Sequence, residues 1–129
     1  MSEKVQIKGR VIGEGKPLIC VPVVEEKKED IIDNIRLLAQ KSCEMIEWRM
    51  DCFPEVQNSE KVDEILNAVK PYVEHTILLL TFRSKRQGGA MQLDSKEIMN
   101  IYLSALKNGV ADIVDVEYFE YVRPTKAIA

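Results

Sequence analysis

The chain has 129 residues, 46% hydrophobic and 30% charged, the balance of a single globular domain (1–129) long enough to bury a core. Its formal net charge of −3, with no Lys/Arg tract interleaved with aromatics, supplies no basic field, so nucleic acid is excluded as a partner. Apolar runs such as Ile77 to Leu80 are far below a membrane span, and Met1-Ser2-Glu3-Lys4-Val5 lacks the basic-then-apolar pattern of a leader; a cytoplasmic protein with no membrane partner is expected.

In chain order, Val5 to Ile12 alternates loosely and runs into the loop Gly13-Glu14-Gly15-Lys16-Pro17, so residues 1–16 read as a hairpin arm. Leu18 to Val24 is an apolar run of strand length whose interior Pro22 predicts a strand end or an irregularity. From Glu25 to Ser42 the period changes: Ile31, Ile35, Leu38 and Ala39 share one face with charges between them, which predicts an amphipathic helix. Met45 to Arg49 is a second strand. Asn58-Ser59 then offers an N-cap to a helix carrying Val62, Ile65, Leu66 and Val69 before Pro71 stops it.

Thr76 to Phe82 is the third strand. Asp94 with Glu97 reads as a capping box for a helix carrying Ile98, Ile101, Tyr102 and Ala105, which ends at Asn108-Gly109. Ile113 to Val116 is the fourth strand. Strands alternating with helices predict an α/β fold with a parallel sheet: either a doubly wound sheet or a partial (β/α)8 barrel, of which four strands are half. The turns contain neither a GxGxxG fingerprint nor a P-loop, and no nucleotide cofactor is expected.

Three strands finish in charge. Glu47-Trp48-Arg49-Met50-Asp51 alternates, so that Glu47, Arg49 and Asp51 would share one face of a strand; Arg83 follows the third strand, and Asp115-Val116-Glu117 ends the fourth. Such charges are costly inside a sheet unless they pair or meet a polar ligand, and ligands of α/β proteins bind at the carboxyl ends of strands. His75, the only histidine, precedes the third strand while Arg83 follows it, which separates them by roughly 25 Å at about 3.3 Å per residue. His75 therefore belongs to the opposite end of the sheet. Lys85 lies beside Arg86 in a Gly-rich solvated loop, unsuited to the desolvation that a nucleophilic lysine needs. The cysteines Cys20, Cys43 and Cys52 are odd in number and lack a CxxC spacing, so reduced thiols are expected rather than disulfides or a metal site. For Cys52 the neighbouring Asp51 raises the thiol pKa, against a reactive role.

At its strand ends the chain resembles the type I 3-dehydroquinate dehydratases. The matching pieces are Gly13-Glu14-Gly15-Lys16-Pro17, Glu47-Trp48-Arg49-Met50-Asp51, Thr81-Phe82-Arg83-Ser84 with Gly88-Gly89, and Asp115-Val116-Glu117-Tyr118-Phe119, in family order over residues 5 to 119. The resemblance implies βα units of a (β/α)8 barrel over 17–119, with Val5 to Ile12 in a hairpin that closes its bottom. It implies a shikimate-pathway lyase without cofactor, in which a lysine forms a Schiff base with the substrate ketone and a histidine moves the proton. It implies substrate contacts for Glu47, Arg49 and Arg83, with Gln87, Asp115 and Glu117 in support.

Two positions depart from the family: Gln87 stands where an acidic residue is common, and Pro22 where some members have a serine. The tail 120–129, interrupted by Pro124, diverges as well. In the family the histidine and lysine lie well past the Asp-Val-Glu segment, so this chain is expected to hold part of a substrate site, to lack a catalytic residue of its own, and to be inactive alone. The alternatives are a half-barrel binding module or one half of a split enzyme. Four strands cut from a barrel leave open edges, so a homodimer or larger species is expected.

Overall fold

A computed structural model describes residues 5–8, 10–12, 19–85 and 88–115. Two short strands, β1 (Val5–Ile7) and β2 (Arg10–Ile12), pair antiparallel with Val5 opposite Ile12. The main sheet holds β3 (Cys20–Val23), β4 (Met45–Arg49), β5 (Ile77–Thr81) and β6 (Ile113–Asp115), all parallel and in sequential order. Helices α1 (Lys28–Gln40), α2 (Ser59–Val69) and α3 (Ser95–Lys107) connect them. Sequential order means that every crossover advances one strand in the same direction, which builds toward a closed barrel; a doubly wound sheet would reverse. The barrel alternative stands and the doubly wound one falls.

The helices all pack on one face. Val23, Ile46, Trp48, Leu78 and Leu80 point from the sheet into a cluster with Ile31 and Ile35 of α1, Ile65 and Leu66 of α2, and Ile98 and Tyr102 of α3. These side chains are almost fully removed from water, each contributing about 1.5–3 kcal/mol of burial. On the opposite face Cys20 and Pro22 are exposed and Met45, Glu47, Arg49, Leu79, Ile113 and Asp115 are half-buried. Parallel strands are ordinarily covered on both faces, and this one is the face a barrel turns inward.

Local chemistry sets the helix starts. Asn58 accepts hydrogen bonds from the Glu60 and Lys61 amides, and Asp94 with Glu97 forms the capping box read from the sequence. Helix α1 is shorter than its apolar period, Lys28 to Gln40 rather than Glu25 to Ser42: Lys27 is still extended (φ −94°, ψ 139°), and at the other end Ser42 turns into the left-handed region (φ 62°) while the Cys43 amide bonds back to the Leu38 carbonyl at 3.1 Å. Pro22 sits inside β3, in register with Glu47, rather than ending it. Among the described residues β3 is an edge strand, where a missing N–H does no harm.

The hairpin is tied to the amino ends of the strands. Lys8 Nζ donates to the carbonyls of Val73 (2.6 Å) and Thr76 (2.8 Å) and pairs with Asp112 Oδ2 at 2.8 Å. That carboxylate also accepts the Leu78 amide. The segments 13–18, 86–87 and 116–129 lie outside the described residues, and with them the Gly13–Pro17 loop, Gln87, Glu117 and the tail.

Candidate functional site

The parallel register lines up the inward-facing residues in rows: Pro22, Glu47, Leu79 and Ile113 form one, and Arg49, Thr81 and Asp115 the next toward the carboxyl ends. Within these rows Thr81 Oγ1 donates to Glu47 Oε2 at 2.8 Å. Arg83, just past β5, brings its guanidinium within 3.7 Å of Glu47 Oε2 and 3.6 Å of Asp115 Oδ2. Glu47, Arg83 and Asp115, from three successive strand ends, therefore meet. The Arg83 side chain keeps 31% of its surface exposed.

Asp51 departs from the expected alternation. The strand stops at Arg49, and Met50–Cys52 forms a 3-10 turn that swings Asp51 out of the row shared by Glu47 and Arg49. Its carboxylate is fully buried and is forked by Arg49, with Nε to Oδ1 at 2.9 Å and Nη2 to Oδ2 at 2.8 Å. Two backbone amides complete it: Arg83 N–H to Oδ1 at 3.1 Å and Ala90 N–H to Oδ2 at 3.0 Å. Burial pushes the Asp51 carboxyl up, but the Arg49 hydrogen bonds, the Ala90 and Arg83 amides and the Arg49 charge outweigh it and hold the group below its ordinary value. Arg49 is held above its own, chiefly by the same hydrogen bonds.

The loop after β5 folds back on itself over this carboxylate. The Gly89 amide bonds to the Ser84 carbonyl at 2.8 Å, and a Cβ at Gly89 would sit 1.8 Å from the Arg83 carbonyl oxygen, so only glycine fits. Tyr102 supports the same end from the helix layer: its hydroxyl accepts the Phe82 amide at 2.6 Å and donates to the Asp115 carbonyl at 2.7 Å, pinning β5 to β6 beneath the charged cluster.

The sequence-derived candidates thus separate. Glu47, Arg83 and Asp115 converge, and Arg49 lies on the same face, paired to Asp51. Gln87 and Glu117 lie outside the described residues. His75 is in the turn before β5, at the opposite end from Arg83, and Lys85 is exposed. Cys52 lies 3.8 Å from Asp51 Oδ2, and burial together with the Asp51 charge raises its thiol, as expected from its neighbour. Among the described residues no group of three His, Cys, Asp or Glu side chains is placed to hold a metal ion. Sequence reasoning missed Asp51 as a structural acceptor, Thr81 as a Glu47 partner and the Tyr102 hydroxyl. Asp51 carried a signal in its alternation with Arg49, whereas Tyr102 was masked by its place in an apolar stripe.

The type I 3-dehydroquinase family model matches residues 19–128. The chain belongs to this family. It is 38% identical over 119 residues to the 3-dehydroquinate dehydratase of Clostridioides difficile, covering 92% of this chain and 47% of that protein. The crystal structure of the Clostridium difficile type I enzyme, determined with covalently modified comenic acid, superposes with a TM-score of 0.86 over 93% of this chain and 48% of that one. The Geobacillus kaustophilus dehydratase also gives 0.86, at 26% identity and 49% of its length. The chain spans about half the length of the relatives it matches, and its four strands are half of the type I 3-dehydroquinase barrel. Among the described residues no helix is long and apolar enough to cross a membrane.

Proposed function

We propose that the carboxyl-end cluster is the amino-terminal part of a 3-dehydroquinate site, in which Glu47, Arg49 and Arg83 contact the substrate and Asp115 supports Arg83, with Gln87 and Glu117 from the adjoining segments. The observation that carries this reading is the convergence of Arg83 with Glu47 and Asp115 at 3.6–3.7 Å on the inward face. Guanidinium groups offer paired N–H donors to a carboxylate or to vicinal hydroxyls, and the half-buried carboxylates of Glu47 and Asp115 hold Arg83 at the strand ends. The reaction is dehydration to 3-dehydroshikimate in the shikimate pathway, through a lysine iminium that serves as the electron sink, so no cofactor is required. Neither Lys85 nor His75 is suited to that chemistry, and the elimination requires a lysine and a histidine from further strands that complete the barrel. The 129 residues act as one unit and are inactive by themselves.

The test is borohydride reduction in the presence of 3-dehydroquinate, read by intact mass. The chain alone is expected to give no adduct. Mixed with the carboxyl-terminal half of the Clostridioides difficile relative, it is expected to form 3-dehydroshikimate and to leave the adduct on the added half. A stoichiometric adduct on any lysine of this chain refutes the inactive reading, and failure to gain activity in the reassembled pair counts against the site.

We further propose that the isolated chain self-associates as a homodimer or larger species. Among the described residues β3 and β6 each have one strand neighbour, Ile19 is 68% and Val24 47% exposed beside β3, and on the inward face Cys20 and Pro22 of β3 are exposed. The unpaired thiols Cys20, Cys43 and Cys52 support a reducing, cytoplasmic location.

A further inference from the structure

We propose that Asp51 is the positioning residue of this site, setting with one carboxylate both the Arg49 guanidinium and the backbone from which Arg83 projects. The inference rests on the substrate reading of the two arginines given above. A carboxylate offers about four acceptor sites. All four of Asp51's are used: Oδ1 by Arg49 Nε and the Arg83 amide, Oδ2 by Arg49 Nη2 and the Ala90 amide. With its side chain at 0% exposure and every lone pair engaged, Asp51 neither reaches a ligand nor exchanges a proton with one. Its action is on geometry.

Arg49 and Arg83 come from different strands, and side chains of this length have many rotamers. The fork leaves Arg49 one orientation, and its remaining N–H groups have no partner among the described residues. The Arg83 and Ala90 amides both bond Asp51, and Gly89, which no larger residue could replace against the Arg83 carbonyl, ties back to Ser84 between them. One buried charge therefore fixes the spacing between two cations that would otherwise repel and spread. A site for an anion gains from such preorganisation because the ordering is done before the ligand arrives.

The experiment uses nitrogen-15 NMR on the full chain and on Asp51→Asn, Asp51→Glu and Ala90→Pro. Hydrogen exchange at Arg49 Nε–H and at the Arg83 and Ala90 amides is expected to accelerate about tenfold or more in Asp51→Asn, the loss of a charge-assisted hydrogen bond. The Trp48 and Leu80 amides in the sheet are expected to keep their protection. The dissociation constant for 3-dehydroquinate is expected to rise on the order of 10- to 100-fold. Asp51→Glu keeps the charge and loses the geometry, so it is expected not to restore binding; wild-type affinity in that variant overturns the inference. Ala90→Pro removes one donor while leaving the carboxylate, and keeps the test decisive if Asp51→Asn does not fold: unchanged Arg83 protection and affinity there also overturn it. If the unsubstituted chain does not bind 3-dehydroquinate, the substrate reading falls, and the exchange rates still decide whether Asp51 holds the two arginines.

Discussion

The two arginines of the site are alike in the sequence and unlike in their energetics, which makes their removal a discriminating experiment. Arg49 forks a carboxylate with no solvent exposure at 2.8 and 2.9 Å, so Arg49→Met leaves Asp51 charged and buried, with two backbone amides and the weak Cys52 thiol as its donors. Breaking such a pair costs about 3–5 kcal/mol. Protonation of the stranded carboxyl caps the loss, since neutralising an ordinary aspartate at pH 7 costs about 4 kcal/mol. Arg83 lies 3.6–3.7 Å from carboxylates that keep 17% and 40% of their surface, and Arg83→Met falls in the range of partly exposed pairs, about 0–1 kcal/mol. Urea unfolding at fixed protein concentration, followed by fluorescence of Trp48, the single and fully buried tryptophan, measures both. The expected result is a midpoint lowered substantially for Arg49→Met and barely for Arg83→Met, with the same slope. Equal losses, or a larger loss for Arg83, would refute the assignment of Asp51 as a buried partner of Arg49 alone.

Tyr102→Phe keeps the ring in the core and deletes the hydroxyl that joins the Phe82 amide to the Asp115 carbonyl; with Phe82 1% exposed, the stranded amide is expected to cost about 1–3 kcal/mol in the same urea assay, and a change under about 0.5 would count against the bridge. Asp51 has a folded-state pKa below its ordinary 3.8, so its contribution is whole at neutral pH and drains away as pH falls below 3.8 through the depressed value. The stability gap between the wild type and Asp51→Asn is therefore expected to narrow on acidification in that range; a gap that instead narrows between pH 5 and pH 8 would assign the charge to another group. Sedimentation at micromolar concentration is expected to give a dimer or larger species, and a chain that stays monomeric would remove the self-association proposal.

Much of the architecture is written in the periodicity of the chain. Alternation from Met45 to Arg49, the helical stripes through Ile31, Ile65 and Ile98, and the capping residues Asn58 and Asp94 each depend on residues within a turn or two of one another. Local order of that kind is legible without a fold, and it places Glu47, Arg49 and Arg83 at strand ends before any coordinates. The identity of the family follows from short motifs at those same ends. Whether the sheet is singly or doubly wound is not local, and only the sequential pairing of β3 through β6 decided it. The partner of each charge is a tertiary fact as well. Glu47 meets Arg83 and Thr81, more than thirty residues away, because the parallel register brings their strands side by side. Asp51 reads in sequence as one more residue on an alternating face, yet a 3-10 turn buries it under Arg49 and the Arg83 and Ala90 amides. An isolated strand carries Arg49 but not the rest of what makes burial of that carboxylate tolerable, since the Arg83 and Ala90 amides arrive from beyond a different strand.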